Sequence, residues 1–241
     1  MPAELQVAVW RGADEGAFEH FRVPRRESQT VLDVVTYIQH HLEPALAYRF
    51  ACRVGVCGSC AMKVNGIARW TCRTHVAEVA HDGRLEIAPL DHLPRVRDLV
   101  CDMTPFFEKW TRAGGAFVAQ YAAGKPAQGF AVIDPLSPRR RLVEAGIECI
   151  GCGVCYSECD TVGRRADYLG PAALNRAWTL HNDERDDNSK ARLRAVADDA
   201  GCLACHTQMS CSERCPKKLT PAISIAGLKR ASAMAVLKGL L

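Results

Sequence analysis

Cysteine is the residue that most constrains what this chain can fold around. The 241 residues include 13 cysteines, and all except Cys101 fall into three groups, at 52–72, 149–159 and 202–215. Residues 1–6 lack the basic and then apolar pattern of a secretory signal, so we expect a cytoplasmic chain whose thiols stay reduced. An odd number of cysteines also argues against a disulfide framework, because one thiol would be left over. The three groups therefore predict metal binding.

Charge and hydropathy exclude three other classes of protein. The chain has 31 Lys and Arg against 27 Asp and Glu, a formal net charge of +4, and 48% of its residues are hydrophobic. This balance is typical of a globular chain and not of a disordered one. It falls short of the basic character of a dedicated nucleic-acid binder, so we expect no nucleic-acid partner. No stretch approaches the roughly 18 uninterrupted apolar residues of a membrane span.

The N-terminal part of the chain has a pattern of strands with one helix. Alternating apolar residues at 5–10 and 18–23 predict a hairpin. Thr30 is placed to start a helix with a single apolar stripe, and Asn65-Gly66 supplies the two positive φ angles of a tight hairpin turn. Residues 85–87 predict a closing strand. This order predicts a small mixed α+β domain.

The pattern changes near residue 105. Thr104 can cap a helix, and Pro105 suits the first turn of that helix. Strand signals are scarce beyond this point. Three later segments have helical patterns, at 171–180, 189–197 and 221–237. We therefore predict two domains, 1–105 with the mixed α+β pattern and 106–241 with a helical one.

The first cysteine group has the spacing of a plant-type [2Fe–2S] site, C-x4-C-x2-C with a fourth cysteine further along the chain. Its members are Cys52, Cys57, Cys60 and Cys72. Glycines at 55 and 58 let backbone N–H groups approach the cluster sulfurs. The alternative is a zinc site built on the close pair Cys57 and Cys60, but the four spacings do not match the two-pair pattern of zinc.

The second and third groups follow one template, which predicts a pair of clusters. The second group is Cys149, Cys152, Cys155 and Cys159, in the order C-x2-C-x2-C-x3-C. In this pattern three cysteines bind one cubane cluster and the fourth binds a second one. Counting back from Cys215-Pro216, the third group has cysteines at 205 and 211, but Gln208 occupies the remaining position.

The glutamine at position 208 distinguishes two kinds of cluster. Exchanging the fourth cysteines of the two runs assigns a [4Fe–4S] cluster to Cys149, Cys152, Cys155 and Cys215. The ligands that remain are Cys159, Cys205 and Cys211. Three thiolates favour a [3Fe–4S] centre, which needs no thiolate at its vacant corner. The open alternative is that Cys202, close by in the sequence, acts as a fourth ligand.

Four segments form one combined pattern. They are ACRVGVCGSC at 51–60, the cysteine triple at 149–155, DYLGPAAL at 167–174 and the run from Cys205-His206 to Cys215-Pro216. Together they resemble the iron–sulfur subunit of succinate dehydrogenase and fumarate reductase, which is respiratory complex II. The resemblance covers almost the whole chain, including residues 97–100 and 102–103 at the junction of the two predicted domains.

The resemblance implies a fold, a set of cofactors and a set of partners. The fold is α+β, a β-grasp, plant-type ferredoxin-like domain followed by an all-helical ferredoxin-like domain. The cofactors are [2Fe–2S], [4Fe–4S] and [3Fe–4S] clusters on the cysteines already named. Electrons would pass from a FAD-containing subunit, where succinate is oxidised, through this chain to quinone or haem b in a membrane anchor. The chain would lie peripherally on the cytoplasmic face of the cell membrane and would carry out no substrate chemistry itself.

The region after Cys159 departs from the pattern of many family members. Proline often follows the matching cysteine, and a tryptophan shortly after it helps to form a ubiquinone pocket, whereas here Asp160 follows and residues 160–165 contain no tryptophan. His206 is retained, and in the family it lies near the three-iron centre, so it is our candidate for a residue close to the quinone. Two interpretations stay open: the quinone is menaquinone, or it binds elsewhere on the anchor.

Three alternative functions remain at this point. The same subunit could work in the opposite direction in a fumarate reductase, because the direction depends on the quinone and the partner. A free-standing ferredoxin-like carrier is a second alternative, although two fused cluster domains argue against it. A zinc-stabilised interaction module is the third, and it would be colourless where an iron–sulfur protein is brown.

Overall fold

The computed structural model describes residues 4–119 and 133–241, which belong to two compact units. The first unit contains the chain up to Met103 together with a later segment, Ile150–Glu158. The second unit contains Thr104–Cys149 and Cys159–Leu241. The predicted division of the chain into residues 1–105 and 106–241 does not include the placement of Ile150–Glu158 in the first unit. That division stays a prediction.

One mixed sheet and one short ribbon account for the strands of the described residues. The strands are β1 (Glu4–Gly12), β2 (Gly16–Pro24), β3 (Ala61–Val64), β4 (Ile67–Trp70), β5 (Arg84–Ala88), β6 (Arg95–Arg97) and β7 (Val100–Cys101). The sheet has the order β2-β1-β5-β3-β4, and β6 pairs with β7 in the ribbon. β1 and β5 are parallel, and the other neighbours are antiparallel. The predicted strand at 85–87 thus lies at the centre of the sheet, between β1 and β3.

Both predicted hairpins are confirmed. β1 and β2 pair along their whole lengths, and the alternate residues Leu5, Val7 and Val9 are fully buried, as the period of two along a strand requires. In the second hairpin, Asn65 and Gly66 have φ angles of 49° and 77°. Two successive positive φ angles match the right-handed twist of the flanking strands, which explains why this dipeptide joins β3 to β4.

The described residues contain ten α-helices and two short 3-10 turns. The helices are α1 (Val31–His41), α2 (Val76–Val79), α3 (Thr104–Arg112), α4 (Pro138–Ile147), α5 (Val154–Ser157), α6 (Asp160–Arg164), α7 (Pro171–Asn182), α8 (Ser189–Val196), α9 (Ser210–Glu213) and α10 (Pro221–Leu237). The 3-10 turns are Thr71–Arg73 and Cys202–Ala204. Helices α1, α2 and α5 belong to the first unit, and the others belong to the second. The expectation of an α+β part followed by a helical part is confirmed.

Helix α1 begins where the sequence predicts. The Thr30 hydroxyl accepts from the backbone N–H of Asp33 at 3.2 Å, and the Asp33 carboxylate accepts from the backbone N–H of Thr30 at 2.9 Å. This reciprocal capping satisfies two N–H groups that the helix itself leaves without partners. Val35 and Ile38 are fully buried in the core. Leu42 follows the last residue of α1 and is 43% exposed, so the apolar stripe ends before it.

Helix α7 is the centre of the second unit and packs against α3, α4, α8 and α10. Two glycines allow close packing on it. A Cβ atom at Gly227 of α10 would lie 2.6 Å from the ring of Trp178, and one at Gly146 of α4 would meet the Thr179 side chain. Helix α4 itself was not predicted from the sequence. Among residues 4–119 and 133–241, none of the helices has both the length and the apolar character of a membrane-spanning segment.

Candidate iron–sulfur sites

The first cysteine group lies on two segments of the first unit that are tied together. Cys52, Cys57 and Cys60 lie on the loop between α1 and β3, and Cys72 lies in the 3-10 turn that follows β4. Thr71 joins the two segments, because its hydroxyl and its backbone N–H both donate to the carbonyl oxygen of Cys60, at 2.8 and 3.2 Å. Cys60 and Cys72 are buried, whereas Cys52 and Cys57 are partly exposed.

Backbone donors stabilise a thiolate in this loop. The N–H groups of Val56 and Val54 donate to the Cys52 sulfur at 3.3 and 3.4 Å. These two hydrogen bonds, with a third from the Cys57 thiol, lower the pKa of Cys52 to about 6. The loop therefore favours the deprotonated form that binds iron.

The remaining sulfurs of the group interact with one another. Burial, together with the neighbouring Cys60 and Cys52 sulfurs, raises the pKa of Cys72 to about 12. Because Cys52 also interacts with Cys57, the four sulfurs form one connected set. The positive charge of the iron atoms in a bound cluster would offset the free-energy cost of bringing these negatively charged sulfurs together. Four gathered thiols and inward N–H donors fit a [2Fe–2S] cluster.

Two glycines in the loop have positive φ angles and leave no room for a side chain. Gly55 has a φ of 76°, and a Cβ atom there would lie 2.8 Å from the Trp70 ring. Gly58 has a φ of 74°, and a Cβ atom there would lie 2.7 Å from the Cβ atom of Cys152. Both the backbone conformation and the close approach therefore require glycine.

The second cysteine group is divided between the two units. Cys152 and Cys155 belong to the segment Ile150–Glu158 of the first unit, and Cys149 and Cys159 belong to the second. The first-unit segment is fixed by two hydrogen bonds: the Glu158 carboxylate accepts from the N–H of Ala68 at 2.7 Å, and the Ser157 hydroxyl accepts from the N–H of Asp91 at 2.9 Å. No pattern in the sequence identifies Glu158 or Ser157 as residues that hold this segment in place.

Cys215 lies in the second unit, on a segment that is linked to the one carrying Cys149. The ammonium of Lys217 and the carboxylate of Glu148 form an ion pair at 3.1 Å. Glu148 precedes Cys149 directly, and Lys217 lies two residues after Cys215. The side chain of Arg176 on α7 also interacts electrostatically with Cys149, which places a positive charge near this thiol.

Cys159, Cys205 and Cys211 lie together in the second unit. Burial raises the pKa of Cys159, and the Cys205 sulfur adds to this shift. Burial likewise raises the pKa of Cys211 to about 11, with added effects of Cys159 and Cys205. The backbone N–H of Thr207 donates to the Cys205 sulfur at 3.4 Å. These three thiols and this donor fit an iron–sulfur cluster with three protein ligands.

Tyr168 is a neighbour of this site that the sequence did not identify as a functional residue. Its side chain is only 1% exposed. Burial raises the pKa of Tyr168, and so do the three nearby thiols and a hydrogen bond from its hydroxyl to the Cys205 sulfur. Tyr168 was noted only as part of the DYLGPAAL segment, whose pattern contains no indication of contact with a cysteine 37 positions away.

The remaining residues that the sequence analysis considered as ligands or as neighbours of a cluster are either buried thiols or exposed polar side chains. The Cys202 sulfur is fully buried and lies 4.0 Å from the Ser232 hydroxyl. Cys101 is buried, and its sulfur lies 3.6 Å from the carbonyl oxygen of Leu90. His206 and Gln208 are both exposed, next to Cys205.

The fold and the thiol groups define a class of protein, an iron–sulfur electron-transfer protein made of two ferredoxin-like parts. A family model described as "2Fe-2S iron-sulfur cluster binding domain" matches residues 4–108, and one described as "4Fe-4S dicluster domain" matches residues 146–219. The chain belongs to the family of iron–sulfur subunits of fumarate reductase and succinate dehydrogenase.

Two curated relatives and one solved structure support this membership. The fumarate reductase iron–sulfur subunit of Haemophilus influenzae is 32% identical over 212 residues, which cover 85% of this chain and 82% of that protein. The succinate dehydrogenase iron–sulfur subunit of Paracoccus denitrificans is 34% identical over 209 residues, covering 83% and 74%. A chain of the Mycobacterium smegmatis Sdh1 complex in its apo form is 25% identical, with a TM-score of 0.85 and 97% of each chain covered.

These relationships confirm several expectations at once. The resemblance stated from the sequence is confirmed, and so is the order of a β-grasp ferredoxin-like part and a helical part. The function is that of an electron-transferring iron–sulfur subunit of an oxidoreductase. The presence of [2Fe–2S] and [4Fe–4S] domains is likewise confirmed.

Proposed function

We propose that this chain is the electron-transfer subunit of a succinate:quinone oxidoreductase. In this proposal it receives electrons from a FAD-containing subunit that oxidises succinate and delivers them to quinone, or to haem b, in a membrane anchor. The observation that carries the proposal is the gathering of thiols into separate sets, Cys52/57/60/72 in the first unit and Cys159/205/211 in the second. Separate sets are what a relay of one-electron centres needs.

We assign the ligands as the cysteine spacing predicts. The [2Fe–2S] ligands are Cys52, Cys57, Cys60 and Cys72. The [4Fe–4S] ligands are Cys149, Cys152, Cys155 and Cys215. The [3Fe–4S] ligands are Cys159, Cys205 and Cys211. When bound, these clusters supply one-electron oxidation and reduction.

The protein's own groups tune these sites. The N–H groups of Val54 and Val56 donate to the Cys52 sulfur. These hydrogen bonds stabilise added negative charge and would raise the reduction potential of a cluster bound there. Burial of Cys72 and Cys211 keeps water away from these two thiols. These are contributions of binding, electrostatics and exclusion of solvent, with no covalent step on this chain.

Two observations support a three-iron centre. Gln208 occupies the position where the template has a cysteine, and it is exposed between two residues with left-handed backbone conformations, Thr207 and Met209. Cys202, the alternative fourth ligand, has its sulfur against Ser232 in a fully buried position on the α10 side.

The partners and the location follow from the same proposal. We place the subunit peripherally on the cytoplasmic face of the cell membrane, bound to a FAD subunit and to an anchor that contains quinone and, in some arrangements, haem b. His206, which is exposed beside Cys205, is the residue that we propose to lie nearest the quinone.

Low-temperature EPR of the purified complex tests the proposal. We expect an oxidised three-iron signal that disappears on addition of succinate while a reduced [2Fe–2S] signal appears.

Cys57→Ala should abolish succinate-driven quinone reduction while artificial acceptors still reoxidise the flavin. Persistent quinone reduction in that variant would contradict the proposed order of electron transfer. Absence of any flavoprotein from the purified material would favour the free-standing carrier. Faster fumarate reduction than succinate oxidation with the native quinone would favour the reverse direction.

A further inference from the structure

The loop that carries the first cysteine group touches a cysteine of the second group. Both belong to the first unit, in which Cys152 lies on the segment Ile150–Glu158. A Cβ atom at Gly58 would lie 2.7 Å from the Cβ, 2.8 Å from the Cα and 3.2 Å from the backbone nitrogen of Cys152. Real Cβ atoms do not approach other atoms so closely, so a side chain at position 58 would force the loop and Cys152 apart.

This contact is held in place from both sides. Gly58 accepts a hydrogen bond at its carbonyl oxygen from the N–H of Ala61 at 3.2 Å, which fixes the loop to the start of β3. On the other side, the Glu158 carboxylate accepts from the N–H of Ala68 on β4 at 2.7 Å. The two partners of the contact are thus anchored to neighbouring strands of one sheet.

Two separate constraints act at Gly58, and they can be distinguished. One is the backbone conformation, since a φ of 74° disfavours every other residue type. The other is the contact with Cys152. Gly66 has only the first constraint, because its φ is 77° but nothing lies within 4 Å of a Cβ atom placed there. Gly66 is therefore a matched control for Gly58.

We propose that Gly58 is a positioning residue for electron transfer, because its missing side chain lets the [2Fe–2S] loop pack directly against the [4Fe–4S] ligand Cys152. This inference depends on the ligand assignment proposed above. One electron leaves the reduced [2Fe–2S] site and one electron enters the [4Fe–4S] site, with no proton transferred and no covalent bond changed. The electron comes from the flavin of the partner subunit in turnover, or from dithionite in the test. Electron tunnelling slows steeply with distance, so separation of the two segments lowers the rate.

The first test compares Gly58→Ala with Gly66→Ala in the purified complex. After reduction with dithionite, spin counting by EPR measures how much of each cluster is present, and power saturation of the [2Fe–2S] signal measures its magnetic coupling to the [4Fe–4S] centre. We expect full cluster content in both variants, but weaker coupling and a several-fold slower transfer only in Gly58→Ala. Equal coupling in the two variants, at full cluster content, would overturn the proposal.

A second pair of variants decides the question if Gly58→Ala fails to assemble its clusters. Glu158→Ala removes the carboxylate that fixes the Cys152 segment, whereas Glu158→Gln keeps an acceptor oxygen for the N–H of Ala68. We expect weaker coupling in Glu158→Ala and restored coupling in Glu158→Gln. Unchanged coupling in Glu158→Ala would overturn the positioning role. Absence of either cluster from the unsubstituted complex would instead contradict the proposed function, so the two failures are distinguishable.

Discussion

The guanidinium of Arg192 and the carboxylate of Asp186 form a two-pronged ion pair, with N–O distances of 2.6 and 3.0 Å and both side chains fully buried. Arg192 also donates to the carbonyl oxygens of Gly114 and Ala116, at 2.7 and 3.0 Å. Asp186 accepts in addition from the N–H of Val118 at 3.0 Å. The pair therefore fixes the segment that follows α3 onto the start of α8.

Asp186→Ala should strongly destabilise the second unit. It would leave the buried guanidinium of Arg192 without its counter-ion, and loss of one partner of a buried pair costs about 3–5 kcal/mol. Asp167→Ala is the control, because its ion pair with Arg165 has a similar distance, 3.0 Å, but side chains that are 55% and 41% exposed. We expect a much smaller loss of stability there, because solvent screens an exposed ion pair. Thermal unfolding of the complex checks both, and equal losses would contradict the role given to the buried pair.

Asp98 links three segments of the first unit and should make its stability depend on pH. Its carboxylate accepts from the N–H groups of Ala47 and Gly12, both at 2.9 Å, and from Arg11 at 3.1 Å. Burial opposes ionisation, but these donors outweigh it and hold the pKa of Asp98 below its usual value. A lowered pKa in the folded state stabilises the fold above the unfolded pKa of about 4, and the stabilisation is lost as the pH falls through the folded value.

Asp98→Asn should therefore lower stability at neutral pH and flatten the acid dependence. We expect a loss of about 1–3 kcal/mol, because the amide retains shape but cannot satisfy all the donors. Glu19→Gln is the control, since Glu19 also pairs with Arg11, at 3.0 Å, from a side chain that is 49% exposed. Thermal midpoints between about pH 3 and 7 measure the difference. A variant with the same acid dependence as the unsubstituted protein would show that Asp98 is not the responsible group.

Tyr168→Phe should lower the reduction potential of the proposed three-iron centre. The variant removes the hydroxyl that hydrogen-bonds to the Cys205 sulfur, and hydrogen bonds to cluster sulfurs favour the reduced state. A hydrogen bond of about 1 kcal/mol corresponds to roughly 40 mV for a one-electron couple. Potentiometric titration of the oxidised EPR signal measures the shift. An unchanged or higher potential would contradict the assigned role of Tyr168.

Gln208→Cys should convert the proposed three-iron centre into a four-iron one. The new thiol would stand at the position that the repeated template leaves without a cysteine. A fourth thiolate can hold the iron of the vacant corner. We expect loss of the oxidised three-iron EPR signal and one additional cluster iron by Mössbauer spectroscopy. Retention of the original signal would show that position 208 does not face the vacant corner.

Cys202→Ala should leave the same EPR signal unchanged. The Cys202 sulfur is fully buried against Ser232, so we expect its loss to remove packing and not a ligand, at a cost of about 1–2 kcal/mol. Spin counting of the oxidised protein, together with the thermal midpoint, distinguishes a role of Cys202 in packing from a role as a cluster ligand. Loss of the signal with an unchanged midpoint would indicate that Cys202 binds the cluster.

Local patterns in the sequence determined several of the elements and the kind of chemistry of this protein. The Asn65-Gly66 turn, the Thr30 cap and the alternation in β1 each depend on neighbouring residues, and all three are present in the structure. The plant-type and repeated cysteine spacings likewise identified iron–sulfur chemistry, because ligands on one loop must follow one another at fixed intervals.

Tertiary structure alone decided which distant residues meet. The N–H of Ala68 pairs with a carboxylate 90 residues away, at Glu158, and Gly58 lies against Cys152. Arg192 likewise reaches the carbonyl oxygen of Gly114 across 78 positions. Such contacts depend on how complete elements pack and not on any local spacing. For that physical reason the placement of the Cys152 segment in the first unit could not be read from the sequence.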